Sequence, residues 1–465
     1  MQLSHSLGAT TAVFDDPILI GAAGLVPVMA LADSVGLARL ALERLSVPTD
    51  KGANAGLKVS SLVAGMVAGA DSIDDMAMLR HGGMGRVFDR AYAPSTLGSF
   101  LRAFTFGHVR QLDAVASRFL TALAGRAPLL PTPSRDELVL VDVDDTIVEV
   151  HGHDKQGASF GYTGVRGLNA LLATASTNDS APVVVAQRLR KGSAGSPRGA
   201  ARLVADALTT VRAMSTGRVL LRADSAFYGR ATLGAAVRAG AQVSVTVRLD
   251  PQVKKAIAAI PAQAWSTIEY PDAIFDEDTG AWVSRAEVAE MPYTAFAAHK
   301  TQRIPGRVVV RRIPELNPRA KAGQDALFTT WRFHAFFTTV ATDVMGTVTA
   351  DKTHRGHAVI EQVHADLKNS ALAHLPSGKF AANAAWLILA VIAFNLTRAA
   401  ATLTGPTLTK TTTAIIRRRL ITVPGRAARR ARRLVLHLPA GWPWRHEWQR
   451  LLAHARGSPP RTART

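Results

Sequence analysis

Residues 138–150 read LVLVDVDDTIVEV, an apolar run that opens onto three aspartates, Asp142, Asp144 and Asp145. The run is short and rich in β-branched residues, so it reads as a buried strand that ends at Thr146. Carboxylates gathered where a strand ends are a common way for α/β proteins to hold metal ions or phosphates. Which chemistry they serve depends on what surrounds them.

Outward from this stretch the pattern is regular. GLNALLATAS (167–176) and APVVVAQRLR (181–190) read as two further strands. The helix PRGAARLVADALTTVRAM (197–214), the strand GRVLLRADSAF (217–227), the helix GRATLGAAVRAG (229–240) and the strand QVSVTVRL (242–249) follow. Three consecutive strands and then strand–helix alternation is the order of an α/β, ribonuclease-H-like core, a mixed sheet with flanking helices. Residues 251–335 loosen into a β-rich insertion, where RVVVRRI and RFHAFFTTV read as strands and KKAIAAIPAQAW as a helix. The expected catalytic core is therefore 131–250 plus 336–404. Helical residues 1–130 precede it, and an arginine-rich tail, 405–465, follows.

Bulk properties narrow the function. The 465 residues suffice for two to four domains with a sizeable core. With no cysteine, disulfides, thiolate zinc sites and a cysteine nucleophile are excluded. A formal charge of +20 points to a polyanionic partner, nucleic acid before an anionic membrane surface; a generally basic proteome is the bland alternative. No signal peptide is expected, because no basic segment precedes the first apolar stretch. PILIGAAGLVPVMALAD contains Pro27 and several glycines, and FAANAAWLILAVIAFNLTRAAATL contains Asn383 and Asn395, so both read as buried helices rather than membrane spans.

In the N-terminal region, Ser95 or Thr96 is placed to cap a helix bearing Leu97, Phe100, Leu101 and Phe104. The preceding SIDDMAMLR and the turn HGGMGR leave two readings open, a DNA-binding helix-turn-helix-like module and an ordinary helical hairpin. GRAPLLPTPSRDE reads as a linker near residue 131.

Phosphodiester cleavage by a two-metal route needs carboxylates from separate elements, converging on two Mg²⁺ ions about 4 Å apart. Asp144 lies at the end of the first strand, and Asp224 ends the apolar strand of VLLRADSAF in the same way. Glu361 falls in THRGHAVIEQVHADLKN, where His354, His357, Glu361, His364 and Lys368 recur at three- and four-residue steps along one face of an expected helix. Ile360, Val363 and Leu367 form a separate apolar face. The competing reading of the polar stripe is a solvated helix face.

These boxes together resemble a DDE-type insertion-sequence transposase, with insertion-sequence family 1380, in the clan of insertion-sequence family 4, as the nearest pattern. VDVDDTIVEVHGHDKQGASFGYTGVRGLNALL is similar to that family's first-Asp segment, LRADSAFY to its second, and HRGHAVIEQVHADLKN to its third. In the wider class the third box reads Tyr, two residues, Arg, three residues, Glu, six residues, Lys. Glu361 and Lys368 match it, while His354 stands in the Tyr place and His357 in the Arg place, with Arg355 beside them. The likeness spans roughly residues 70–400.

The resemblance implies that Asp144, Asp224 and Glu361 are the catalytic, metal-binding residues. The cofactor would be two Mg²⁺ ions, replaceable by Mn²⁺. It implies cleavage at terminal inverted repeats of double-stranded DNA and strand transfer into target DNA by cut-and-paste, with a hairpin intermediate. It further implies a homodimer in the synaptic complex, no membrane partner, and a bacterial cytoplasmic, nucleoid-associated location. His354, Arg355, His357 and Lys368 are expected to contact DNA. In the same family the β-rich insertion sets an aromatic residue against a flipped base, for which Trp265 and Trp282 are the candidates beside a purely structural role.

Other segments are read from their residues alone. RLRKGSAGSPRG, with Arg188, Arg190, Lys191 and Arg198, is expected to be a mobile basic loop that contacts phosphates, or else a solvated loop. Ser225 and Tyr228 either touch DNA or pack locally, and His151 and His153 are polar loop residues without zinc spacing. From Lys410 the tail is expected to bind phosphate backbone or to fold partly on doing so, and Trp442, Trp444 and Trp448 suggest a small docked element. DVDDT also fits the DxDxT box of haloacid-dehalogenase-type phosphatases, with Asp142 as nucleophile and Asp144 as acid/base. That reading lacks a paired-acid box after a later strand and leaves the charge unexplained. A decayed, non-catalytic DNA-binding relative is the remaining alternative.

Overall fold

A computed structural model describes residues 1, 3–48, 50–131, 138–161, 163–276, 281–314, 331–431 and 433–457. The expected linker falls partly outside them, at 132–137. The N-terminal region carries a short strand β1 (Leu19–Ile20) and the helices α1 (Leu25–Ser34), α2 (Leu37–Arg44), α3 (Ala55–Ala68), α4 (Met84–Val87), α5 (Pro94–Arg102) and α6 (Phe106–Ala124). The core follows as β2 (Leu138–Glu149), β3 (Ser159–Phe160), β4 (Arg166–Ser176), β5 (Val183–Lys191), α7 (Ala200–Met214), β6 (Arg218–Ala223), α8 (Arg230–Arg238) and β7 (Gln242–Thr246). The insertion contributes α9 (Pro251–Ala258), β8 (Ser266–Asp276), β9 (Ala281–Ala295), β10 (Ile304–Pro314) and β11 (Trp331–Thr338). Helices α10 (Thr347–Arg355), α11 (Val359–Lys368) and α12 (Phe380–Thr404) return to the core. Beyond them lie α13 (Pro406–Thr409), α14 (Thr413–Ile416), β12 (Gly425–Arg430), β13 (Arg433–His437) and α15 (Arg445–Ala455).

The core strands lie in the order β5-β4-β2-β6-β7. β2, β4 and β5 form an antiparallel meander, whereas β6 pairs parallel with β2 and β7 parallel with β6. This is the expected ribonuclease-H-like arrangement. Strand β4 is buried along nearly its whole length, as a central strand covered on both faces must be. The insertion does not form a sheet of its own. β11 pairs antiparallel with β7 (Phe337 opposite Val245), and β10, β9 and β8 extend the same sheet beyond it.

Helix α12 is long and apolar enough to cross a membrane, yet it lies buried within the protein. Its two asparagines are satisfied there. Asn395 accepts from the Val184 N–H at 2.9 Å and donates to the Val184 carbonyl at 2.8 Å, and Asn383 binds the backbone of Ser377 in the same two-way fashion. A side-chain amide that reproduces a backbone hydrogen-bond pair removes the cost of burying it.

Two expectations change at the ends of the chain. Segment 74–79 is 3₁₀ rather than α-helical, α4 is one turn, and Leu97, Phe100 and Leu101 of α5 point into the core. Thr105 opens α6 shortly after α5, and the two helices pack separately on the body, α5 on α12 and on segment 74–79, α6 on α12 and α2. The residues after 405 are also structured. β12 pairs with both β13 and β1, and Trp448 and Leu451 of α15 are buried against the helical layer. Trp442 donates from Nε1 to the Arg419 carbonyl at 3.1 Å, and the Arg419 guanidinium covers the Trp444 ring. The expected docked tryptophan element is present.

Candidate functional site

Strand β2 runs on to Glu149, three residues past its expected end at Thr146, so Asp144 lies in the middle of a strand rather than at its end. What stops at that level is the neighbour: β6 ends at Ala223, which pairs in parallel register with Val143. One step further along both chains brings Asp144 beside Asp224. Asp224 turns the chain into a short 3₁₀ segment, its carboxylate accepting from the Ala226 N–H at 3.0 Å.

The three aspartates of the opening motif have three different environments. Asp142 is fully buried and clasped by Arg222 through bonds of 2.7 and 2.8 Å, and it accepts from Nδ1 of His357 at 3.0 Å. Asp145 accepts from Arg190 at 2.6 Å and also from Asn169. Of the three, Asp144 alone has no cation in hydrogen-bond contact among the described residues; Nδ1 of His364 lies 3.7 Å from its Oδ2. Burial raises the Asp144 carboxyl to about 6, the Asp145 and Asp224 charges push in the same direction, and a backbone hydrogen bond and His357 act against them. Asp224 is raised as well, first by desolvation and then by Asp145, again opposed by His357.

The third box is not one continuous helix. α10 stops at Arg355, a 3₁₀ turn spans Gly356–Ala358, and α11 starts at Val359. At the break Arg222 reaches in, its Nη1 donating to the Thr353 carbonyl at 2.5 Å, the group that in a continuous helix bonds the N–H four residues on. Gly356 permits this approach, since a Cβ there would stand 2.8 Å from the same nitrogen. His354 is consequently turned away from the expected face. It stacks on Phe336 at 4.1 Å between the hydroxyls of Ser244 and Thr246, and burial lowers its ring to about 3, so it is neutral and has no charge for a phosphate.

On α11 the expected apolar face holds: Ile360, Val363 and Leu367 are buried. Glu361 is exposed in the first turn, between His357, whose charge acts on both Asp144 and Asp224, and His364, which faces Asp144. Burial holds the His364 ring down near 4, and its Nε2 is buried without a partner. Lys368 lines a cleft of about 340 Å³ with Thr146, Thr163 and Leu372, and burial lowers its ammonium pKa. Arg355 is bonded to Asp351 at 3.0 Å.

The expected basic loop divides. Arg188 pairs with Asp113 at 2.6 Å and Asp206 at 2.5 Å, and Arg190 is buried between Asp145, Asn169 and three backbone carbonyls. Both belong to β5 and hold the core together; neither is presented to a phosphate. Lys191 and Arg198 are exposed. His151 and His153 are exposed loop residues. Tyr228 packs on Phe296 and Phe337, and burial raises its phenol. Ser225 opens the 3₁₀ segment after Asp224. Arg312 is sandwiched between Trp265 at 4.1 Å and Trp331 at 4.4 Å, so Trp265 already has a stacking partner. Trp282 belongs to β9, and its side chain lies outside the described residues. Sequence reasoning missed Arg222, whose only signal was a basic residue inside an apolar strand; His364 was read on the polar stripe of the third box but given no role.

Asp144 and Asp224 suit a hard divalent cation. They are oxygen donors, brought side by side, and their carboxyls are raised first by burial and further by neighbouring carboxylates, both of which a bound cation would offset. Among the described residues, no three His, Cys, Asp or Glu side chains come close enough to hold one metal ion together. The expected convergence of Glu361 on Asp144 and Asp224 is therefore not formed in this structure; Glu361 stands exposed in the first turn of α11. The phosphatase alternative loses its nucleophile here, since Asp142 is buried and neutralised by Arg222.

The family described as transposase DDE domain, group 1, matches residues 11–459. No curated protein matches the sequence. Among solved structures, the piggyBac transposase synaptic complex with hairpin DNA is similar over 88% of this chain and 77% of that chain, at 10% identity and a TM-score of 0.40.

Proposed function

We propose, from the premise that this chain belongs to the DDE transposase family, that it cuts the terminal inverted repeats of an insertion sequence and joins the freed ends to target DNA by cut-and-paste. Enzymes of this family cleave and rejoin DNA and in general use divalent metal ions. For this chain the ions are two Mg²⁺, which Mn²⁺ can replace, held by Asp144, Asp224 and Glu361. When bound, such ions supply activation of the attacking oxygen and stabilisation of the leaving one.

The observation that carries the assignment is the parallel register of β2 and β6, which sets Asp144 beside Asp224. Asp142 accepts the Nδ1 proton of His357 and so leaves Nε2 as that ring's free position. His357 bonds Asp142 and His364 faces Asp144, and Glu361, exposed between them in the first turn of α11, supplies the third carboxylate when the ions bind. Lys368 and His357 approach the phosphates, and Lys191 and Arg198 extend the positive surface. The enzyme acts on double-stranded DNA in the bacterial cytoplasm as a homodimeric synaptic complex, through a hairpin intermediate and without a membrane partner.

The test is incubation with the DNA that flanks its own gene, with and without Mg²⁺, and mapping of the cut positions. Nicks at matching inverted ends that need Mg²⁺ and disappear in Asp144→Ala support the proposal. DNA binding without any cut under either condition would instead identify a decayed relative.

A further inference from the structure

The hairpin of β12 and β13 contributes no residue to the carboxylate site. Its base is anchored: β1 pairs with Gly425 and Arg426, the Ala427 N–H donates to the Ile18 carbonyl at 2.8 Å, and Ala427 is buried. Beyond that point the ribbon stands free of β1. The register sets Arg426 opposite His437 and Arg430 opposite Arg433. Because side chains alternate and directly opposed residues share a face, Arg426, Arg430, Arg433 and His437 lie on one face, with only the small Ala428 and Val435 between them. Arg429 projects from the other face near the tip.

All five of these basic residues are exposed. Arg426 meets Asp16 at 3.2 Å, whereas Arg429, Arg430 and Arg433 form no ion pair or side-chain hydrogen bond among the described residues. Two like charges directly opposed across a ladder weaken a hairpin. The Arg430–Arg433 pair therefore carries a folding cost with no internal compensation, and a polyanion would remove it. The dimensions fit a duplex: positions 426 and 430 are about 14 Å apart along a strand, and the major groove, about 12 Å wide, admits a two-stranded ribbon.

We infer that the β12–β13 hairpin is a separate DNA-contacting element that lays Arg429, Arg430 and Arg433 against the phosphate backbone of a duplex. The inference rests on the transposase reading for its choice of partner, but its test does not depend on cleavage. Binding of the full-length protein to a 30-base-pair duplex of unrelated sequence is followed by anisotropy in EDTA, at about 50–200 mM salt. The triple variant Arg429→Ala/Arg430→Ala/Arg433→Ala should bind more weakly. Its slope of log K against log salt should shrink by about 0.9 for each lost phosphate contact, with no fall in melting temperature. The triple Arg→Lys variant should retain the slope, because a point charge suffices for backbone contact. An unchanged slope in a folded alanine variant overturns the inference. So does loss of binding to phosphatidylserine vesicles with DNA binding intact, and so does a Lys variant that behaves like the alanine one. End cleavage fails without affecting the salt slope if only the catalytic reading is wrong, and the slope fails to shrink if only this one is, so the two register in different measurements.

Discussion

Arg222 clasps Asp142 inside the sheet through two hydrogen bonds of 2.7 and 2.8 Å, and its third nitrogen holds the end of α10. The pair thereby sets where α11 begins and, with it, where Glu361 stands. Removal of one partner strands a buried charge, at a cost of about 3–5 kcal/mol, whereas joint replacement by apolar residues of similar volume can be near neutral. Asp142→Ala should therefore lower the urea midpoint sharply, and Asp142→Leu/Arg222→Met should recover most of it. The double variant should still cut DNA poorly, since α11 loses its anchor. Equal instability of single and double variants would show that the pair does not act as a unit.

Asp144, Asp224 and Glu361 should behave as the opposite class. None is needed for packing, so alanine at any of them should alter stability by no more than about 1 kcal/mol. Metal-dependent cleavage should fall on the order of a thousandfold or more in each, and the double variants should be little worse than the singles, as expected of residues that act together. Gel mapping of end cleavage beside thermal melts checks both halves. A Glu361→Ala enzyme of normal activity would remove Glu361 from the site.

The basic residues of 188–198 should separate by burial. Arg190→Ala leaves Asp145 without its cation and should cost about 3–5 kcal/mol in stability. Lys191→Ala and Arg198→Ala are surface changes expected to stay within about 0.5 kcal/mol. DNA affinity at low salt should respond to the latter two. If Arg190→Ala melts like the wild type, the assignment of that arginine to the core is wrong.

His354 provides a pH signature. Its ring is held near 3 in the folded protein, below the ordinary value of 6.5, because burial between Phe336, Ser244 and Thr246 disfavours the charged form. A depressed folded pKa means the unfolded chain takes up the proton first. This contribution to stability is full above about 6.5 and is lost as pH falls toward 3, by an amount on the order of 5 kcal/mol. Chemical denaturation of the wild type and His354→Gln at pH 7, 5.5 and 4 should show the variant losing less on acidification. Parallel loss in both would place the acid sensitivity elsewhere.

The order of strands and helices from residue 138 to 249 was legible along the chain, because buried strands and amphipathic helices write their periods locally. The same holds for α12, whose asparagines marked it as a buried helix. The two aspartates were legible too, each standing at the close of an apolar run. Pairing, partner and break were not. Whether Asp142, Asp144 or Asp145 stays unpaired depends on Arg222 and Arg190, which are 80 and 45 residues away from their partners. Helical arithmetic put His354 and Glu361 on one face, and a hydrogen bond from another strand to the Thr353 carbonyl undid it. Local pattern determines which elements form, since it is governed by residues within a turn or two. The charge state, exposure and direction of a side chain are decided by groups that only the tertiary fold brings within a few ångströms, where the cost of burying an unpaired charge selects one arrangement.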